Sequence, residues 1–413
     1  MQVTTFRLET SDKVSLFVYR WLPETRVKAV IQIAHGWAEH AGRYARLADA
    51  LCREGYAVYA NDHRGHGQTA RTPDEVGWFA DHHGWSKCLD DLRQVNRHIA
   101  EEHPCTPIVL FGHSMGSFMT QQFITEHGDS LAGAVLSGSN GAPPQSARLG
   151  LWLARLERLR VGPRGKSALM KSLVFGAFNN PFERARTPFD WLSRDSAEVD
   201  RYIADPLCGG FESKVQLYID ILGALLDLTR PARLARIPQK LPIYIFGGTR
   251  DPVGRNIHQL LEAYRTAGLE NVRHEFYPLG RHESLNEINR DEVTRDLIRW
   301  LDSFIAHGVT PPYRGQTRIA SVPLFRQRQH GRGRQGFRRA AERAAAAQRL
   351  SRLDGMGRGA PRVSWQLQPS RQRLRSVGLD VSDRTARLSP DRESPRPGEW
   401  PRPRSLACRT CTG

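Results

Sequence analysis

Ser114 is the residue in this sequence whose surroundings are best suited to nucleophilic chemistry. Residues 112–116 read G-H-S-M-G. They follow residues 108–111, an apolar run that predicts a buried strand, and precede residues 117–126, which predict a helix. A G-x-S-x-G turn between a strand and a helix lifts the serine hydroxyl at the carboxyl end of a sheet, and the two glycines leave room for the crossing chain. We therefore predict that Ser114 is a nucleophile.

A serine hydroxyl needs a base to take its proton and a carboxylate to orient that base. Asp251 and His282 each lie in a turn after a predicted strand, the strands being 241–246 and 272–277. In folds with this serine turn the chain order is Ser, acid, His. Taken singly, Asp251 could be a turn-former and His282 a surface residue. Their joint order predicts a catalytic triad of Ser114, Asp251 and His282.

Three other residues compete for the roles of base and acid. His274 is an alternative base, but it lies inside the predicted strand 272–277. Asp195 and Asp205 are alternative acids, but they lie in a stretch that we predict to be irregular and without a preceding strand.

The oxyanion of an acyl-transfer intermediate requires two preorganised N–H donors. One is predicted to be the backbone N–H of Met115, the residue after the nucleophile. The other should come from the loop after an earlier strand. The predicted strand 28–34 is followed by His35-Gly36-Trp37, which assigns this role to the backbone N–H of Trp37. An ordinary strand-to-helix turn is the alternative interpretation of this loop.

Several segments of the sequence resemble the monoacylglycerol lipases and related lysophospholipases. They are H-G-W-A-E-H with R-Y (35–40, 43–44), N-D-H-R-G-H-G (61–67), G-H-S-M-G (112–116), Asp195 with D-P-L (205–207), and the blocks around Asp251 and His282. The resemblance covers about residues 1–307. It implies an α/β-hydrolase core with a small helical cap, no cofactor, and cleavage of lipid esters that carry one acyl chain. It also implies the catalytic roles of Ser114, Asp251 and His282. Trp37 is bulkier than the residue often found at that position.

Alternating strands and helices predict a mostly parallel sheet flanked by helices, which is an α/β fold. Residues 3–8 and 14–21 predict an opening antiparallel pair, and residues 290–305 predict the last helix. The alternation stops between 142 and 237, where 149–159 and 168–178 predict apolar helices. We predict a hydrolase core of residues 1–141 and 238–307, with residues 142–237 as a helical cap over the site. The apolar residues of the cap would bind an acyl chain, pack the cap on the core, or do both.

The net charge of +17 is concentrated at the C-terminus. Residues 314–413 contain 23 arginines, no lysine and seven acidic residues, a net charge of +16, whereas residues 1–313 carry +1. This composition cannot bury enough apolar surface to offset chain entropy. We therefore predict that 308–413 is an Arg-rich disordered tail, in which 337–352 could form an isolated helix. The tail could bind nucleic acid or an anionic membrane. Alternatively, the tail is a solvated, disordered segment without a binding role. A further alternative is that the tail is not a selected sequence and results from translation of a GC-rich reading frame past or out of its proper end.

Cysteine spacing and the N-terminus favour a cytoplasmic enzyme. Cys52, Cys88, Cys105 and Cys208 show no disulfide framework, and we expect neither a signal peptide nor a membrane span. We expect a lipid ester as the binding partner, and peripheral contact with a membrane is possible for such an enzyme. We expect no requirement for nucleic acid, a metal or a cofactor. The alternatives are another acyl hydrolase, a peptidase or thioesterase, and binding through the tail on an enzyme-like scaffold.

Overall fold

An eight-stranded sheet runs through the molecule in this computed structural model, which describes residues 1–141, 143, 146–209 and 212–305. The strand order is β1-β2-β4-β3-β5-β6-β7-β8. The strands are β1 (Gln2–Glu9), β2 (Ser15–Leu22), β3 (Ala29–Ala34), β4 (Tyr56–Asn61), β5 (Ile108–His113), β6 (Gly133–Ser137), β7 (Ile243–Gly248) and β8 (Val272–Tyr277). Strand β2 is antiparallel to both of its neighbours, and the other pairs are parallel.

Helices cover both faces of the sheet. Those of the core are α1 (Ala45–Arg53), α2 (Gly84–Glu102), α3 (Met115–His127), α9 (Ile257–Thr266) and α10 (Arg290–Ile305). Successive residues of a strand point to opposite faces, and β5 follows this rule. Leu110 belongs to the apolar cluster on one face, and Val109 and Phe111 belong to the cluster on the other. The predicted mostly parallel sheet with helices on both sides is therefore confirmed.

Five helices lie between β6 and β7, in the region where the sequence pattern breaks. They are α4 (Ser146–Val161), α5 (Ala168–Phe175), α6 (Ser196–Ala204), α7 (Val215–Leu225) and α8 (Pro231–Leu234). The predicted helix 168–178 is too long by three residues, because α5 ends before Gly176.

The stretch that contains Asp195 and Asp205 is not irregular, and that prediction was wrong. Helix α6 lies between the two residues. Asp195 is its N-cap, and the Asp195 side chain accepts a hydrogen bond from the Ala197 N–H at 3.0 Å. Such a cap satisfies a backbone donor that the helix itself leaves unpaired.

The Arg-rich tail, including the predicted helix 337–352, lies outside the described residues. Within the described ranges, no helix is both long and apolar enough to cross a membrane.

Candidate active site

Ser114 lies at the turn from β5 to α3, as the motif predicts. Its backbone has φ 50° and ψ −117°, a strained conformation for a residue with a Cβ. The Ser114 N–H donates to the Ser137 carbonyl oxygen at 2.9 Å, which fixes the turn against β6. Added Cβ atoms at Gly112 and Gly116 would overlap the carbonyl oxygens of Gly116 and Ala34, respectively. Both glycines are therefore required by the close approach of strand and helix.

Asp251 and His282 meet at the carboxyl ends of β7 and β8, although 31 residues separate them. His282 Nδ1 lies 2.9 Å from Asp251 Oδ1 and 3.0 Å from Oδ2. The Val253 N–H donates to Asp251 Oδ1 at 2.8 Å and holds the carboxylate in place. Both residues are buried, with 6% of Asp251 and 2% of His282 exposed. Because Nδ1 faces the carboxylate, Nε2 is the atom of His282 that remains for a substrate or a serine.

The His282 ring is packed between two aromatic rings. Its centroid lies 5.0 Å from that of Trp191 and 4.8 Å from that of His113, the residue before Ser114. Among the described residues, no hydrogen bond joins the Ser114 hydroxyl to His282. Such bonds are often long in unliganded sites and shorten when substrate binds.

The pKa of His282 reflects burial opposed by negative charge. Burial lowers it, but the charge of Asp251 and the hydrogen bond to that carboxylate outweigh burial and raise the pKa above the usual 6.5. The neighbouring His113 has no such partner, and burial lowers its pKa to about 4. Of these two histidines, His282 is therefore the one poised to exchange a proton near neutrality.

The competing residues lie elsewhere. His274 is exposed on the edge strand β8. The Asp195 carboxylate binds Arg290 at 2.7 Å, and the Asp205 carboxylate binds His40 at 3.0 Å. The structure thus brings Asp251, and neither alternative acid, to His282.

The loop after β3 is held by a buried histidine. The backbone N–H of His63 donates to His35 Nε2 at 2.9 Å, so the ring proton lies on Nδ1 and is donated to the Gly36 carbonyl oxygen at 2.8 Å. Burial lowers the pKa of His35 well below its usual value, so the ring stays neutral. The loop that carries Trp37 is therefore fixed by bonds from both ring nitrogens.

The backbone amides of Trp37 and Met115 are the predicted oxyanion donors. In the part of the chain that the structure describes, neither the Trp37 N–H nor the Met115 N–H donates a hydrogen bond to protein. A Cβ placed at Gly36 would lie 3.2 Å from Ser114 Cβ, so the loop before Trp37 is directly beside the serine. Buried amides are nearly always paired, and two orphaned donors beside Ser114 are those expected of an anion-binding pocket.

A buried ion network behind the site was not predicted. Arg43 donates to Glu39 Oε2 at 2.6 Å and binds both oxygens of Glu283 at 2.8 Å. Glu39 Oε1 in turn accepts the Gly36 N–H at 2.6 Å. The network links the loop of Trp37 to the residue after His282. The resemblance blocks contain Glu39, Arg43 and Glu283, but only as patterns; nothing in the sequence indicated that these side chains pair.

An arc of aromatic side chains beside His282 was also not predicted from the sequence. Trp37 contacts Phe175 with ring centroids 4.9 Å apart, Phe175 contacts Phe178 at 5.7 Å, and Phe178 contacts Trp191 at 4.7 Å. Trp191 then contacts His282. The Trp37 indole N–H donates to Ser213 Oγ at 2.9 Å, which turns this large side chain toward α7. The arc forms an apolar wall from the Trp37 loop to His282.

Comparison with known proteins gives the family. The serine aminopeptidase, S33 family matches residues 25–289. The chain belongs to this family. It is also 29% identical over 285 residues to the monoacylglycerol lipase of Mycolicibacterium smegmatis, covering 69% of this chain and 92% of the relative. It is 30% identical over 301 residues to the human monoglyceride lipase, covering 68% and 88%.

Solved structures share the fold. A carboxyl esterase from Bacillus coagulans superimposes with a TM-score of 0.69 at 25% identity, covering 74% of this chain and 99% of that chain. A monoglyceride lipase variant from Saccharomyces cerevisiae gives a TM-score of 0.57 at 17% identity, covering 71% and 94%. The α/β-hydrolase fold and the class of enzyme, a carboxylic ester hydrolase, are thereby confirmed as predicted.

Proposed function

We propose that the chain hydrolyses esters of lipids with one acyl chain, monoacylglycerols or lysophospholipids, through an acyl-enzyme on Ser114. This proposal rests on the contact of His282 Nδ1 with both carboxylate oxygens of Asp251, beside the strained Ser114 turn. Nucleophile, base and orienting acid are thus brought from the ends of three strands to one edge of the sheet.

The mechanism follows from the geometry. His282 Nε2 takes the Ser114 proton while Nδ1–H donates to Asp251, and Ser114 Oγ bonds to the ester carbonyl carbon. The oxyanion is bound by the backbone N–H groups of Trp37 and Met115, which are already oriented and cost no reorganisation. The tetrahedral intermediate collapses, the C–O bond breaks, and His282 gives its proton to the leaving alcohol. Water, deprotonated by His282, then attacks the acyl carbon. The bond between that carbon and Ser114 Oγ breaks, His282 returns its proton to Ser114, and the fatty acid is released.

The substrate class is inferred from the wall of the site. The arc of Trp37, Phe175, Phe178 and Trp191 would cover an acyl chain with apolar surface. The insert of residues 142–237, which contains helices α4–α8, supplies three of these side chains, Phe175, Phe178 and Trp191, and would act as the cap over the core formed by 1–141 and 238–307. The named activity of the monoacylglycerol lipase relatives supports the same class.

A peptidase is the runner-up, because the family description names one and the same triad serves amides. An aminopeptidase must bind a cationic amino terminus, and a buried cation requires a paired negative charge. Glu39 and Glu283, the carboxylates behind the site, both bind Arg43. Both carboxylates are already paired with this guanidinium, so neither is free to bind an ammonium group, which favours an uncharged acyl chain.

The first experiment tests the nucleophile. Ser114→Ala should abolish covalent labelling by a fluorophosphonate probe and lower turnover by about 10⁴-fold or more, because triad members act as a unit. Ser117→Ala is the matched control. Ser117 lies three residues after Ser114, donates to the Ser114 carbonyl oxygen, and its replacement should keep labelling. Labelling that survives in Ser114→Ala would remove Ser114 from the mechanism.

The second experiment tests the substrate. Wild-type enzyme is assayed on monoacylglycerols, lysophospholipids, acyl thioesters and aminoacyl amides of matched chain length. We expect the highest kcat/KM on a single-chain lipid ester. A higher kcat/KM on the amides would replace this assignment with a peptidase while leaving the triad intact.

A further inference from the structure

A cluster of metal-ligand side chains lies outside the triad, where the segment after α6 meets the loop after β3. Its members are His40, Asp205 and Cys208. His40 Nε2 lies 3.0 Å from Asp205 Oδ2, and one ligand atom from each residue lies within 4.8 Å of the others. The imidazole, the carboxylate and the thiol are therefore close enough together to bind one ion.

We propose that these three side chains form a site for a divalent cation of the Zn²⁺ class. Thiolate, imidazole and carboxylate are the ligands that Zn²⁺ prefers. Zinc bonds of 2.0–2.3 Å in tetrahedral geometry separate ligand atoms by about 3.3–3.8 Å, a spacing within the 4.8 Å limit of this cluster. On binding, the Cys208 thiol gives its proton to water and the cation binds the thiolate. The fourth position is left to water.

The ligands are preorganised by the local backbone. The Leu207 N–H donates to Asp205 Oδ1 at 2.8 Å, and the Cys208 N–H donates to the Asp205 carbonyl oxygen at 3.1 Å. This turn holds Oδ2 and the sulfur on the side of His40. Ligands held by their own supporting bonds lose less entropy when a cation binds.

The surrounding charge favours a cation. The charged groups that act on Cys208 are the guanidinium of Arg43 and three carboxylates, those of Asp205, Glu39 and Glu283. Their sum is negative. The cluster is also reachable from solvent, since 12% of the His40 side chain and 30% of the Asp205 side chain are exposed, while Cys208 is buried.

A bound cation would link the hydrolase core to the insert between β6 and β7. His40 belongs to the hydrolase core, and Asp205 and Cys208 follow α6 of the insert between β6 and β7. Beside it, the Tyr202 hydroxyl donates to the Ala38 carbonyl oxygen at 2.9 Å, so the two segments already touch. A cation would add a bond across this contact. Hydrolysis by Ser114 does not pass through this site, so the proposal stands apart from the proposed function.

The test is a Co²⁺ titration of the full chain in which Cys105, which is exposed, and Cys408 and Cys411, which lie outside the described residues, are replaced by serine, so that these thiols do not contribute. We expect one equivalent to bind with a thiolate-to-cobalt charge-transfer band, and Zn²⁺ to displace it. Zn²⁺ at a hundredfold excess over Kd should raise Tm by roughly 5 °C. Absence of the band in this background would overturn the site.

The variants assign the ligands. Cys208→Ala should lose the band, and Asp205→Asn, which is isosteric, should weaken Co²⁺ binding by about 10-fold or more and reduce the Zn²⁺-dependent rise in Tm by about half or more. Circular dichroism verifies folding, and Asp205→Asn carries the test if Cys208→Ala does not fold. A band that persists in Cys208→Ala, or unchanged affinity in Asp205→Asn, would show that the cation binds elsewhere and overturn the proposal.

Discussion

The guanidinium of Arg43 binds both carboxylate oxygens of Glu283 at 2.8 Å, although 240 residues separate the two side chains. Only 13% of the Arg43 side chain and 6% of the Glu283 side chain are exposed. A second carboxylate, Glu39, shares the guanidinium and holds the Gly36 N–H. One arginine therefore sets the position of the Trp37 loop relative to the loop of His282.

Removing this arginine should destabilise the fold. Arg43→Met leaves two buried carboxylates without a counter-charge, which we expect to lower the free energy of unfolding by about 3–5 kcal/mol. Arg53→Met is the control, because Arg53 pairs with Asp49 on the surface, with 75% of its side chain exposed, and should cost less than about 1 kcal/mol. Urea unfolding of both variants measures the difference; equal losses would mean that the network is not a structural tie.

Two glycines give a matched test of the serine turn. A Cβ at Gly116 would overlap the carbonyl oxygens of Ala34 and His35, whereas one at Gly223, in α7, meets nothing within 4 Å. Gly116→Ala should cost about 2 kcal/mol or more and abolish labelling of Ser114. Gly223→Ala should instead stabilise by about 0.5–1 kcal/mol, because alanine is the better helix former. Thermal unfolding and probe labelling of the two variants measure these effects. An active Gly116→Ala enzyme would show that the turn tolerates a Cβ at position 116.

The pH profile should reveal the charge of Asp251. His282 acts as a base only when neutral, and its pKa lies above 6.5, so kcat/KM should rise with pH through an ionisation above 6.5 and then level off. Asp251, Glu283 and Glu39 raise this pKa, and His113 faces the ring but is neutral there. Of these carboxylates, Asp251 raises the pKa of His282 most. Asp251→Asn removes its charge but keeps the burial of the ring, which lowers the pKa.

In Asp251→Asn the rising limb should therefore move to lower pH, while the plateau falls by about 10⁴-fold. Residual esterase activity of the variant, followed from pH 4 to 9, measures both effects. A limb that stays in place would mean that Asp251 does not set the ionisation of the base.

The aromatic arc should control chain-length preference. Phe178→Ala removes a ring between Phe175 and Trp191, and a lost apolar contact with substrate is worth about 1–3 kcal/mol. We expect the ratio of kcat/KM for a long-chain monoacylglycerol to that for p-nitrophenyl acetate to fall about 10-fold or more. The acetate serves as an internal control, and an equal loss on both esters would assign Phe178 to packing alone.

The C-terminal extension should be dispensable for turnover. Residues 314–413 carry +16, and residues 1–313 carry +1. Trypsin should cut the extension first and leave a stable fragment that ends near Arg314, with unchanged activity on a soluble ester. Any binding of the full chain to anionic vesicles should require the extension and vanish with salt. A truncation after residue 313 that lost fold and activity would show that the two parts of the chain depend on each other.

Local patterns in the sequence were sufficient for the strands and for the three triad candidates. Ser114 follows β5 directly, and Asp251 and His282 lie in the turns after β7 and β8. Because parallel strands end at the same edge of a sheet, alternation of strands and helices places the three turns together. The G-x-S-x-G motif predicts a strained turn at Ser114 because only glycine fits at positions 112 and 116. None of these inferences depends on how the insert between β6 and β7 packs.

The packing of that insert, and the pairing of the buried charges behind the site, were decided by the tertiary structure alone. The Trp37 indole meets Ser213 across 176 residues, Arg43 meets Glu283 across 240, and His40 meets Asp205 across 165. Each contact joins side chains whose local sequence fits several environments equally well. A partner is selected only when burial makes an unpaired charge or indole N–H costly, and burial is a property of the folded chain rather than of any segment in it.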